Sequence, residues 1–202
     1  MPPDSELVSR VILADDQLAF SQLVERHQAA IRAFLRRLLA GDHAAADDLA
    51  QETFLAAYRK LHTWQAEAKL STWLHSIAYR KFLERVRKEA RYQVMADVPE
   101  PEASLHASFH TIPVSRSGNE AESEILAQQL MGLLNAEDRA CMTMAYSVGM
   151  SHEEISEMIE LPLGSVKSRI HRAKLKLQQW LEDHDHSISK GGETTAQEKL
   201  HA

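Results

Sequence analysis

A single cysteine stands among 202 residues, so no intramolecular disulfide can staple this chain. Cys141 lies among Ala140, Met142, Met144 and Ala145, an apolar setting that suits a buried thiol better than a redox sensor. Glycine and proline number only 7 and 6, which leaves too little punctuation for a fold of short strands and turns. The opening residues, Met1-Pro2-Pro3-Asp4-Ser5-Glu6, lack the basic-then-apolar order of an export signal, and no uncharged apolar run approaches the roughly 18 residues that span a bilayer. A cytoplasmic location without membrane insertion is expected. There is also no glycine-rich phosphate loop, no nucleophile-base spacing and no metal-ligand motif, so the expectation is a protein that is not an enzyme and carries no cofactor or metal. His184 and His186 raise a metal-sensing reading, but with one cysteine in the chain they complete no tetrahedral ligand set.

What is abundant points to helices. Ala, Leu, Glu, Gln, Lys and Arg dominate, and the apolar fraction of 44% is that of an ordinary globular protein. The formal charge of -6 means that any surface for nucleic acid must be segregated, because phosphate binding needs local cations.

Along the chain the apolar residues recur at helical spacing from Glu6 to about Glu89, with Leu7, Val11, Phe20, Leu23, Ile31, Phe34, Leu35 and Leu38 forming stripes. Helical periodicity resumes from about Ala121 to Leu181. Between these stretches, Pro99, Pro101, Pro113 and Gly118 sit among Ser and Thr with few large apolar groups. The expected fold is all-α: a first helical domain at 1–95, a flexible linker at 96–120, a second small helical domain at 121–183, and a tail at 184–202 too polar to order itself.

In the second domain, Ser151-His152-Glu153-Glu154 fits a capping box and predicts a helix start. That helix should end near Glu160, because Pro162 disfavours helical geometry at Leu161. A second helix is predicted from Leu163–Ser165 to Trp180, burying Val166, Ile170, Ala173 and Leu177. It carries Lys167, Arg169, Arg172, Lys174 and Lys176 and no acid before Trp180. At about 100° per residue, Ser168, His171 and Arg172 lie opposite the buried stripe, with the other cations on its flanks. Alone, such a run is a solvated face. Behind a helix and a short turn it fits the major groove, where central side chains read bases and flanking cations meet phosphates.

In the first domain, Asp48, Gln51, Glu52 and Leu55 share one helical face, with Asp47 beside it, an acidic stripe suited to a basic partner helix. Further on, aromatics interleave with cations: Lys69, Ser71, Thr72, Trp73, Tyr79, Arg80, Lys81, Arg85, Arg87 and Lys88. Cations that hold a backbone beside planar groups that stack on bases are the means of binding single strands. Trp73 and Tyr79 nevertheless fit the core better than a stacking role, because large aromatics usually supply buried area.

Two segments then carry a specific resemblance. The run from His152 to Met158, followed by Leu161-Pro162-Leu163-Gly164-Ser165-Val166-Lys167-Ser168-Arg169-Ile170-His171-Arg172-Ala173, resembles region four of extracytoplasmic-function (ECF) sigma factors. Asp47-Asp48-Leu49-Ala50-Gln51-Glu52-Thr53-Phe54-Leu55 and Ser71-Thr72-Trp73-Leu74 are similar to their region two. The resemblance implies core RNA polymerase as partner, met at its clamp helices through Asp47, Asp48, Gln51, Glu52 and Leu55 and at its flap. It implies that the basic-aromatic segment captures the melted minus-ten strand. Ser165, Lys167, Ser168, Arg169, His171, Arg172, Lys174 and Lys176 would then serve the duplex minus-35 element, with an anti-sigma factor as a further partner. Three departures stand out: Asn135 where the family has proline, Ile159-Glu160 where it has leucine-glycine, and Arg80 where it has asparagine. The competing reading is a one-component helix-turn-helix regulator whose first domain senses a ligand.

Overall fold

A computed structural model describes the backbone of residues 2–66, 68–95 and 119–197, and the side chains of residues 2–66, 68–92 and 125–183. Among these residues the fold is all-α. The helices are α1 (Asp4–Ala14), α2 (Gln17–Leu38), α3 (His43–Lys60), α4 (Leu70–Met95), α5 (Asn119–Gly132), α6 (Ala136–Thr143), α7 (His152–Ile159) and α8 (Leu163–Gln197). They form two compact units, Met1–Gly132 and Leu133–Ala202.

In the first unit α2 packs on α1, α3 and α4, and α3 packs on α4. The predicted stripes supply this core: Leu7, Val11, Leu23, Ile31, Phe34, Leu35 and Leu38 are buried, joined by Leu49, Thr53, Ala57, Leu74 and Phe82. Two aspartates start helices as side-chain caps. Asp16 accepts from the Ala19 N–H, and Asp42 from the Ala45 N–H, each at 3.0 Å, which satisfies donors that a helix start leaves free. The Ala19 N–H, with Arg10 beside it, holds the Asp16 carboxyl below its ordinary range.

In the second unit α6 and α7 pack on α8. The capping box is present: the Glu154 N–H donates to Ser151 Oγ at 3.1 Å, and the Ser151 N–H donates to Glu154 Oε2 at 2.7 Å. Asn135 caps α6 by accepting from the Asp138 N–H at 2.8 Å, so the residue that replaces the family's proline supplies a cap of its own. Cys141 is fully buried, and that burial pushes its thiol up to about 11.

Three features differ from the sequence-based boundaries. The expected linker lies outside the described residues except for Asn119 and Glu120, which open α5. By its contacts that helix groups with the first unit, with its Gln128 beside Gly41. The backbone of α8 continues as helix to Gln197, past the expected end near Trp180. Extending a formed helix needs no new nucleus.

Candidate nucleic-acid interface

The helix-turn-helix is built by α7 and α8. At its turn the helix α7 ends on Glu160 in a left-handed conformation, φ 56°, which costs an L-residue roughly 1–2 kcal/mol. The turn is otherwise well tied. The Leu161 N–H donates to the Ser156 carbonyl at 3.2 Å, the Ser156 hydroxyl donates to the Leu161 carbonyl at 2.5 Å, and the Ser165 N–H donates to the Pro162 carbonyl at 2.8 Å. From there Val166, Ile170, Ala173 and Leu177 turn into the core. Lys167, Ser168, His171, Arg172, Lys174 and Lys176 are exposed, and Ser165 is partly exposed. The expected two-sided helix is therefore formed.

Arg169 does not stand free on that surface. Its Nη1 donates to Asp138 Oδ1 at 3.1 Å, its Nη2 pairs with Glu137, and its side chain is 21% exposed. Asp138 is in turn gripped by Asn135 Nδ2 at 2.9 Å. Of the residues expected at the duplex, Arg169 is the one whose guanidinium is already occupied, because its flank of α8 faces α6.

In the first unit, Asp48, Gln51, Glu52 and Leu55 are all exposed on α3, with Leu55 at 60%. Asp47 departs from this face and approaches Arg32 and Arg36 of α2 at 3.5 and 3.6 Å. Beside the exposed face runs a groove of about 300 Å³ between α2 and α3, lined by Phe20, Val24, Arg32, Gln51, Phe54 and Leu55. Its α2 wall is not among the residues expected from sequence; the signal for it is the four-residue spacing of Phe20 and Val24 on one helical face, which fits core packing as well.

The basic-aromatic segment occupies α4 and the loop before it. Trp64 Nε1 donates to the Ala68 carbonyl at 3.1 Å, and Trp64, Ala68, Lys69, Leu70 and Ser71 line an open pocket of about 400 Å³ with Asp4 and Ser5. Lys69, Arg80, Arg87 and Lys88 are exposed, while Ser71, Thr72, Trp73 and Arg85 are partly so. Arg85 pairs with Glu89 at 2.8 Å. Tyr79 departs from the expected stacking set: it is 6% exposed and its ring lies 6.4 Å from that of Phe82. Its position on α4 turns it inward, so it supplies core area, as large aromatics usually do.

Lys81 bridges two faces. Its Nζ lies 2.9 Å from Glu84 on its own helix and 3.6 Å from Glu52 on α3. The hydrogen bond that Lys81 donates to Glu84 raises its pKa, and the charges of Glu84 and Glu52 add to the rise. His75 is not among the residues expected from sequence. It is buried against Phe34 with ring centroids 4.9 Å apart, its Nδ1 is 2.7 Å from the Ser71 carbonyl, and burial pushes its pKa down. A neutral ring with Nδ1–H donating satisfies this site, which ties α4 to α2 through Phe34. Among the described residues no group of three His, Cys, Asp or Glu could hold a metal, and no helix is long and apolar enough to cross a membrane. The side chains of His184 and His186 lie outside the described residues.

The fold and these surfaces define a two-unit helical DNA-binding protein, with a helix-turn-helix in one unit and an acidic face beside a basic-aromatic helix in the other. Family models for Sigma-70 region 2 and Sigma-70, region 4 match residues 23–92 and 125–177. The chain is 31% identical to the RNA polymerase sigma-H factor of Pseudomonas aeruginosa, with 85% of this chain and 90% of that protein covered. It is also 31% identical to the ECF RNA polymerase sigma factor SigW of Bacillus subtilis, with 83% and 91% covered. Among solved structures it is similar to the sigma factor RpoE of Bartonella quintana in complex with the anti-sigma factor NepR, at a TM-score of 0.62 and 26% identity, covering 81% of this chain and 96% of that one. The chain belongs to the ECF sigma factors of the sigma-70 family. It directs transcription initiation with RNA polymerase, and the ligand-sensing regulator reading falls, because its first unit is matched as region 2.

Proposed function

We propose that the chain is a two-part adaptor with no catalysis of its own, working in the cytoplasm. The first domain, 1–95, docks on the polymerase clamp helices through Asp48, Gln51, Glu52 and Leu55, with Asp47 bracing α3 from α2. It then captures the separated minus-ten strand along Lys69, Ser71, Thr72, Trp73, Arg80, Lys81, Arg85, Arg87 and Lys88. The pocket at Trp64, Lys69 and Ser71 is roomy and polar enough to receive a flipped base. The second domain, placed at 121–183 by its sequence although α5 groups by contact with the first unit, meets the flap and reads the duplex minus-35 element through α8, with 96–120 as the connector. An anti-sigma factor is a further partner; the similar sigma factor from Bartonella quintana is seen in complex with one.

The observation that carries this reading is the capped helix-turn-helix whose second helix buries one stripe and turns Lys167, Arg172, Lys174 and Lys176 outward. Purified chain added to core polymerase should start transcripts at discrete promoters. Reversing Asp48 and Glu52 to lysine should weaken core binding on the order of tenfold, because like charges meet at a charge-complementary interface. The first domain should keep its helical circular dichroism. Wild-type core affinity in that folded variant would remove the docking assignment.

A further inference from the structure

One aromatic residue outside α7 and α8 shares a flank with the cations of α8. Tyr146 lies in a π turn, Met144–Val148, and is 57% exposed, with Lys174 Nζ 4.9 Å from its ring centroid. A π turn admits a residue out of α-helical register and is often found at functional sites. This one ends on Gly149 at φ 78°, whose N–H returns to the Met144 carbonyl. Met144 is fully buried and Met150 is 7% exposed, so the turn is anchored at both ends while Tyr146 projects between them.

The position of Lys174 gives this pair a direction. Lys167 and Lys174, two turns apart, lie on one flank of the buried Val166–Leu177 stripe, with His171 between them nearer the centre of the exposed face. On the opposite flank Arg169 is taken up by Asp138 and Glu137. Among the described residues no carboxylate pairs with Lys174, which lies over the Tyr146 ring instead. A ring beneath an ammonium restricts where it points and leaves its charge intact, and the phenol adds an O–H donor close by. Flank positions on a groove-bound helix meet the sugar-phosphate backbone, whereas Ser168 and Arg172 hold the centre.

We propose that Tyr146 and Lys174 form a two-point site for a backbone phosphate of duplex promoter DNA. The ring fixes the lysine, and the phenol O–H donates to the same phosphate or its neighbour. Tyr146 is thus a DNA-binding and positioning residue contributed from outside the helix-turn-helix. This rests on the reading of α8 as the minus-35 helix.

The test uses reconstituted holoenzyme and duplex promoter fragments selected from a randomised library by the wild-type protein, with dissociation constants measured across a salt series. Lys174→Ala should weaken binding about fivefold and lower the log-log salt slope by about one, the loss of one neutralised phosphate. Tyr146→Leu should weaken binding roughly threefold and reproduce part of that slope change. Tyr146→Phe, which keeps the ring, should hold the slope and lose about twofold. Base preference should be unchanged in all three. Tyr146→Leu combined with Lys174→Ala should be no weaker than Lys174→Ala with Tyr146→Phe, because the ring acts only through the lysine. Wild-type affinity and slope in Tyr146→Leu, or losses for Tyr146→Leu and Lys174→Ala that simply add, overturn the proposal. Arg172→Ala separates the two levels. If it alters base preference while the Tyr146 variants change nothing, only the clamp is wrong; if it also changes nothing, α8 is not the reading helix.

Discussion

Arg169 on α8 donates to Asp138 on α6 at 3.1 Å, and Asp138 is itself held by the Asn135 side chain. An arginine in the most basic stretch of the chain therefore holds two helices together. Arg169→Ala should destabilise the second unit by about 1–3 kcal/mol, the range for a hydrogen bond to a charged group that leaves its partner unpaired. Promoter sequence preference should stay unchanged. Denaturant unfolding checks the first statement and a promoter library the second; an altered preference at undiminished stability would return Arg169 to the DNA surface.

Arg172 should behave in the opposite way. It is exposed opposite the buried stripe, and a bidentate contact to guanine carries about 1–3 kcal/mol of discrimination. Arg172→Ala is expected to relax preference at particular minus-35 positions, with little change in unfolding. A uniform fall in output over a randomised promoter set would reduce Arg172 to a phosphate contact.

Glu160 adopts φ 56° at the turn between α7 and α8, where the family carries glycine. Glycine enters that region without the Cβ clash but costs more chain entropy on folding. The net expectation for Glu160→Gly is a gain of about 0.5–1 kcal/mol, read as a higher thermal midpoint. A midpoint at or below the wild-type value would mean that Glu160 contributes something other than strain.

His75 couples stability to pH. Burial depresses its folded pKa below the ordinary value of 6.5, so between the folded pKa and 6.5 the unfolded chain binds the extra proton. Its contribution is fully present above the unfolded pKa and is lost as pH falls below about 6.5, with a limiting slope of about 1.4 kcal/mol per pH unit. His75→Gln should flatten the decline in stability between pH 7 and pH 5 relative to wild type. Parallel wild-type and variant curves over that range would show that His75 does not carry the effect.

Local sequence determined the helices and most of their ends. Ser151 and Glu154 close a capping box between residues three apart, Pro162 stops one helix and admits the next, and the spacing of Val166, Ile170, Ala173 and Leu177 defines a buried stripe. Those features depend on neighbours within a turn or two, so they were legible without the fold. Asp48, Gln51, Glu52 and Leu55 were likewise legible as one face. Only tertiary structure decided which charges remain available. Asp47 is engaged by Arg32 and Arg36, Lys81 lies between Glu52 and Glu84, and Arg169 is held by Asp138 and Glu137. Tyr79 turned inward, and Tyr146 came to lie beside Lys174, 28 positions further along the chain. Helical periodicity sets the direction of a side chain about its own axis, but the partner it meets there is set by how separate helices pack, and that information is not local.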